Sequence, residues 1–373
     1  MRRVLAVVVV AALTTPTLAI PPSELKAKVE EHLAPLLKTG EFAYVVGVLT
    51  GGQEHVFAYG TLATDSQQLV DGDTIFETGS VGKTFTALAL ADMVHHKLVK
   101  YDDAVQQYLA PDCRMPTRGG KQITLEHLAT HTSGLPNIPP ELALFALFSE
   151  DPYARYTPAC MCQFLGTYKL PRDIGAAWKY SNLGAGLLGY ALARHAAGGS
   201  YERLIVERIC KPLGMRDTCI TLSPDQKRRL AKGYDEDGEP AAYWHDDALA
   251  GSGALLSSAK DMLRYATAQI GTIKTPLDAA IQDTHHPRVS ETEIPDHAQA
   301  LGWLAIVNAE GQARVHWHDG ETGGFHSFVG FIKPGGVAVV VLTNRATGET
   351  TVAGLRLLIE LARSSPASSR SAD

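Results

Sequence analysis

No apolar run after the N-terminus is long enough to cross a bilayer, since the stretch 337–342 has only the length of a strand. The chain also lacks a basic block and any strip of interleaved basic and aromatic residues. With 34 Lys and Arg against 40 Asp and Glu, its formal net charge is -6, which leaves nucleic-acid binding without support. Cysteine is sparse and odd in number. Of Cys113, Cys160, Cys162, Cys210 and Cys219, at most four can pair internally, so one thiol stays free or pairs outside. Cys210 with Cys219 is the pair easiest to imagine, because a short loop separates them, although spacing does not fix connectivity. Neither a second cysteine pair nor a histidine at a familiar offset accompanies Cys160-x-Cys162, which speaks against a metal site there.

What is present begins with Met1-Arg2-Arg3, an uncharged run over 4–12 and the small-residue ending Thr17-Leu18-Ala19, the order of a secretory signal peptide cleaved near Ala19. The rest is expected to be periplasmic or secreted, with room for peripheral membrane contact. Its composition, 45% hydrophobic and 20% charged, is that of a globular body. A capped amphipathic helix is predicted over 24–37, and two strands over 42–49 and 54–59 flank Thr50-Gly51-Gly52-Gln53. Four further strands, over 301–307, 313–317, 325–332 and 337–343, are parted by short turns such as Pro334-Gly335-Gly336, and a helix near 349–362 follows. A small polar tail over 364–373 is expected to be disordered. Early hairpin and late meander join most simply into one antiparallel sheet flanked by helices. The fold class is therefore α/β in the layered α+β sense, with a sheet lobe of about 20–75 plus 295–363 and an inserted, mainly helical lobe of about 76–294. A cleft between the lobes is the expected site, and the irregular segment 137–171 is its expected wall.

Three clusters carry chemistry. The first is Gly79-Ser80-Val81-Gly82-Lys83 at the head of an apolar helix, where Ser80 and Lys83 share a helix face and the amides and dipole of the helix start favour a developing oxyanion. The second is Tyr180-Ser181-Asn182, at the start of another helix. Tyr180 can carry a proton if Lys83 lowers its pKa, and Asn182 can bond both a lysine and a substrate carbonyl. The third is His316-Trp317-His318-Asp319-Gly320-Glu321-Thr322 on an edge strand. There His318 is expected to face the cleft as a donor or proton-transfer assistant, and the amide of Glu321 to complete an oxyanion hole with that of Ser80. His316 and His318 share a strand face without a third ligand, so a metal reading is weak.

In this order and spacing, Ser80-Val81-Gly82-Lys83, Tyr180-Ser181-Asn182 and His318-Asp319-Gly320 make the chain resemble the penicillin-recognising serine hydrolases related to class C β-lactamases. It is most similar in pattern to their DD-peptidase and esterase members. The segments from Thr124 to Pro136 and from Gly251 to Met262 extend the resemblance over almost all of the mature chain. It implies Ser80 as nucleophile, Lys83 and Tyr180 as a general-base pair, and Asn182, His318, Gly320, the Glu321 amide and Thr322 as binding and positioning groups. No metal or organic cofactor is implied. The partners implied are small substrates, peptidoglycan stem peptides or β-lactams. One departure matters: efficient class C β-lactamases carry Lys-Thr-Gly where this chain has His318-Asp319-Gly320. Histidine is a cation for a substrate carboxylate only when protonated. The expected activity is therefore that of a D-alanyl-D-alanine carboxypeptidase or endopeptidase. A β-lactamase, an esterase or D-amino-acid peptidase, and a non-catalytic penicillin-binding receptor are the alternatives.

Overall fold

A strand that is apolar at every position is stable only if both of its faces are covered. Val337–Thr343 is such a strand up to its last residue, Thr343, and is buried along its whole length. In the computed structural model, which describes residues 20–38, 40–333 and 335–364, it lies inside a seven-stranded antiparallel sheet. The strands are β1 (Tyr44–Thr50), β2 (Gln53–Tyr59), β3 (His297–Gln299), β4 (Leu304–Val307), β5 (Ala313–Glu321), β6 (His326–Ile332) and β7 (Val337–Thr343), in the spatial order β2-β1-β7-β6-β5-β4-β3. The early hairpin thus joins the late meander through β1 against β7, in the register Tyr44 with Thr343. The expected signal peptide and nearly all of the expected polar tail lie outside the described residues, as does Pro334.

Side-chain alternation divides the sheet between two cores. Val46 and Val48 of β1 and Val339 and Val341 of β7 pack with Leu25, Val29 and Leu33 of helix α1 (Pro22–Leu37), and with Leu357, Leu358 and Leu361 of the C-terminal helix. Val45, Leu49, Val340 and Leu342 face the other way, into one continuous core with the helical residues. At its centre is α2 (Gly82–His95), whose residues from Gly82 to Met93 are all buried. The polar outer stripe of an amphipathic helix is missing here. A helix enclosed on all sides holds its first turn rigidly, which suits a mount for reacting groups.

The structure corrects several expectations. The segment 137–171 is not merely irregular: it holds helices over Pro140–Ala146 and Pro158–Thr167, the second capped by the Thr157 side chain. The disulfide joins Cys113 to Cys162, with 4.8 Å between Cα atoms, and so ties that wall to the preceding loop. Cys160, Cys210 and Cys219 are free. The nearer pair does not join: Cys210 ends the helical turn Val206–Cys210, and Cys219 pairs through its backbone with Leu256. Strand β5 runs on through Glu321, four residues beyond its expected end, because β6 supplies hydrogen-bonding partners as far as the pair Glu321 with His326.

Candidate active site

A short ladder, Ile75–Glu77 against Leu256–Ser258, brings the chain to Thr78, whose amide and hydroxyl both donate to the Leu255 carbonyl, at 2.9 and 2.7 Å. The chain then turns through a 3-10 segment, Gly79–Val81, directly into α2. Lys83 is 3% exposed, and its Nζ bonds Ser80 Oγ at 2.8 Å and the Ser252 carbonyl at 2.7 Å. Burial pulls the pKa of this amine down to about 7, against the opposing pull of Asp246 and Asp319. At neutral pH a substantial fraction of Lys83 is therefore an uncharged amine beside a hydroxyl.

Tyr180 completes the contact from the opposite side. Lys83 Nζ lies 4.9 Å from the centroid of its ring, and the Ser80 hydroxyl is close enough to the phenol to favour its ionised form. The expectation that Lys83 depresses the tyrosine is reversed. Burial pushes the Tyr180 phenol up, more than the nearby Ser80 hydroxyl lowers it, so it keeps its proton while the lysine loses one. Tyr180 is fixed by a knot between two loops. The Lys179 amide donates to the His131 carbonyl at 2.9 Å, the Ser181 amide to His131 Nδ1 at 3.1 Å, and the imidazole lies 4.6 Å from the tyrosine ring. Ser181 also caps helix α3 (Asn182–Ala196) by accepting from the Gly184 amide at 2.8 Å. Asn182 lines the cleft, but among the described residues it does not bond Lys83, whose hydrogen bonds go to Ser80 and Ser252.

The third cluster stands at an opening in the sheet. β5 pairs with β6 as far as Glu321, whereas on its other side β4 stops at the pair Leu304 with Trp317. From His318 to Glu321 one edge of β5 thus has no neighbouring strand among the described residues and borders the cleft, a place where an extended substrate can add as a strand. Gly320 is required by contact: a Cβ there would strike the Thr78 carbonyl oxygen and come within 2.8 Å of the Ser80 amide nitrogen. Gly79, at φ +50°, would likewise bring a Cβ to 2.7 Å from the Glu321 amide nitrogen. These approaches put the Ser80 and Glu321 amides at one rim of the cleft.

His318 differs from expectation. Its Nδ1 lies 2.5 Å from the Asp319 carbonyl oxygen, which can only accept, so Nδ1 carries the hydrogen. Burial lowers its pKa to about 4 despite Asp319, so it is neutral, and Nε2 is left as an acceptor rather than a donor or cation. The Asp319 carboxylate is engaged elsewhere, accepting from the Thr351 hydroxyl at 2.7 Å.

The cleft has a volume of about 530 Å³. Besides Ser80, Tyr180, Asn182, His318, Gly320, Glu321 and Thr322, it is lined by residues that sequence reasoning had not singled out, notably Glu77, Trp244 and Asp246. Burial raises Glu77 to about 7, against the favourable Thr322 hydroxyl and Trp244 amide. Asp246 is likewise raised to about 7 by burial, opposed by the Leu249 amide and by Lys83. Glu77, three residues ahead of Ser80, could have been noticed from its place in the motif. Asp246 and the Ser252 carbonyl come from a stretch with no periodic signal, and only the folded loop brings them to Lys83.

A family model described as Beta-lactamase matches residues 26–364. The D-alanyl-D-alanine-carboxypeptidase/endopeptidase AmpH of Escherichia coli strain K12 is 31% identical over 323 residues, covering 83% of this chain and 80% of its own length. A β-lactamase of Pseudomonas fluorescens is 28% identical over 358 residues, covering 87% and 94%. Among solved structures, a class C β-lactamase from Rhodobacter sphaeroides superposes with a TM-score of 0.76 at 25% identity, over 89% of this chain and 98% of its own.

Proposed function

The chain belongs to the β-lactamase family of serine hydrolases, and from that membership we propose that it is an exported D-alanyl-D-alanine carboxypeptidase or endopeptidase that cleaves peptidoglycan stem peptides through an acyl-enzyme on Ser80. The observation that carries this choice over a dedicated β-lactamase is His318, a buried neutral imidazole where efficient class C β-lactamases have lysine. In the proposed reaction Ser80 Oγ attacks the scissile carbonyl carbon and gives its proton to the neutral amine of Lys83. The oxyanion forms between the Ser80 and Glu321 amides. As the tetrahedral intermediate collapses, the C–N bond breaks and the Tyr180 phenol protonates the departing amine, recovering a proton from Lys83. Water then hydrolyses the Ser80 ester by the same groups in reverse.

A second reading, esterase or D-amino-acid peptidase, has support of its own: no lysine or arginine is among the described residues lining the cleft, so a substrate carboxylate has no permanent cation there. Hydrolysis of a D-Ala-D-Ala peptide, a chromogenic cephalosporin and a short-chain p-nitrophenyl ester, with Ser80→Ala as blank, separates these activities. Turnover of the peptide with slow cephalosporin hydrolysis is expected. Rapid cephalosporin turnover with an inert peptide would refute the peptidase assignment, and ester turnover alone would favour the second reading.

A further inference from the structure

A helix that is apolar on every side is normally enclosed, as α2 is. The helix Pro140–Ala146 and the two residues after it break that rule. Only Leu142 and Phe145, three apart and so on one face, turn inward: Leu142 is buried, and Phe145 packs on the core with the Arg155 guanidinium 5.2 Å from its ring centroid. Ala143, Leu144, Ala146, Leu147 and Phe148 are all exposed. Leu144 is 53% exposed, Leu147 74% and Phe148 76%, so three of the six large apolar side chains that stand exposed among the described residues fall within five positions. They form a crest that projects from the wall of the cleft.

Size, shape and charge say what such a crest meets. At roughly 200 Å² for a fully exposed leucine or phenylalanine, the three side chains present about 400 Å² of apolar surface, as much as soluble proteins leave uncovered only at contact sites. That is half of the about 800 Å² each partner gives to a stable protein interface, so a second copy of the chain seated there would be weakly held. Residues 1–19 are poorly placed to cover it, because the chain enters the fold at Ile20 on the core that faces α1, whereas Phe145 packs on the other core. A fluid bilayer interface needs neither a matching groove nor a minimum area, and a few projecting leucine and phenylalanine side chains suffice. Exposed Glu141 and Glu150 flank the crest, which favours lipid without net charge over an anionic surface. The crest is also tied to the cleft. Ser149 Oγ donates to the Asp151 carbonyl at 2.9 Å, the Asp151 carboxylate accepts the His245 amide at 3.1 Å, and Tyr153, which lines the cleft, has its ring centroid 4.9 Å from that of Trp244.

We propose that the crest of Leu144, Leu147 and Phe148 inserts at the headgroup level of a lipid bilayer and holds the enzyme at the membrane by the wall of its cleft. With seven residues the helix is too short to span, so the contact is peripheral and reversible. This attachment rests on no particular substrate.

The test is flotation of the full-length enzyme with vesicles of phosphatidylcholine and phosphatidylethanolamine. The enzyme is expected to float with the vesicles, and Leu147→Asp and Phe148→Asp are each expected to lower its partition coefficient by about tenfold or more. Both side chains are exposed, so the variants should keep the urea midpoint of the original. Adding phosphatidylglycerol to the vesicles is expected to leave binding no stronger. Failure of the unaltered enzyme to float, or flotation only when phosphatidylglycerol is present, would overturn the assignment. So would undiminished flotation of both variants, which would move the attachment elsewhere, residues 1–19 included. Dimerisation read by light scattering, lost in the same variants and without flotation, would overturn it in favour of a second copy of the chain.

Discussion

Removing the carboxylate of Asp246 tests how the nucleophile is activated. An ordinary lysine near 10.5 is uncharged in only about one molecule in three thousand at neutral pH, whereas burial brings Lys83 down to about 7. That difference corresponds to about 5 kcal/mol and turns a poor base into a usable one. The sign follows directly: the reactive form is the deprotonated amine, so kcat/KM falls about tenfold per pH unit below about pH 7 and levels off above it. Asp246 is the foremost charge resisting this depression. Asp246→Asn should therefore move the acid limb to lower pH, by about one unit for a nearby opposite charge that is itself only partly ionised. In the unaltered enzyme the limb belongs to the Lys83–Asp246 pair, and the variant separates the two. The assay is the pH profile of kcat/KM for an uncharged p-nitrophenyl ester, with the Ser80→Ala rate subtracted. A limb near the ordinary lysine value, or one that moves to higher pH in Asp246→Asn, would refute this account of the base.

Three further perturbations probe other parts of the site and fold. His318→Lys should supply the missing cation and lower KM for carboxylate-bearing substrates such as cephalosporins by about tenfold; an unchanged ratio of cephalosporin to ester hydrolysis would count against the role given to His318. Gly320→Ala should cut kcat by about a hundredfold or more, because its Cβ meets the Thr78 carbonyl and the Ser80 amide; activity within about threefold of the original would show that the amides tolerate displacement. His285 and His316, buried with ring centroids 4.8 Å apart, are both held neutral by burial, His316 near 4 and His285 well below its usual value. Their contribution to stability is full above the unfolded value of about 6.5 and is lost as pH falls towards about 4, at about 1.4 kcal/mol per pH unit for each. His316→Phe, stacking on Phe331, should lose less stability than the original on acidification, as read from urea midpoints at about pH 6.5 and 4.5.

Much of this was legible in the sequence because its signals are local. The continuous apolar run of β7, the tight turns between late strands and the nearly continuous small and apolar stretch of α2 each mark an element by pattern alone. The three candidate clusters were likewise visible as residue types at short spacing, and the fold brings Ser80, Lys83, Tyr180 and His318 to one cleft. What was not legible depends on long-range closure. The carbonyl that holds Lys83 comes from Ser252, 169 residues away. The neutrality of His318 follows from burial, which outweighs both the Asp319 charge and the bond to the Asp319 carbonyl, and its sequence neighbours do not announce that burial. The disulfide spans 49 residues and passes over the nearer cysteine pair.

The most direct test of the central claim, that Ser80 is acylated, is intact-protein mass spectrometry after exposure to benzylpenicillin at about pH 8, followed by peptide mapping. One whole-penicillin adduct on the peptide containing Ser80, absent from Ser80→Ala, is the expected result. An adduct on another residue, or its persistence in Ser80→Ala, would contradict it.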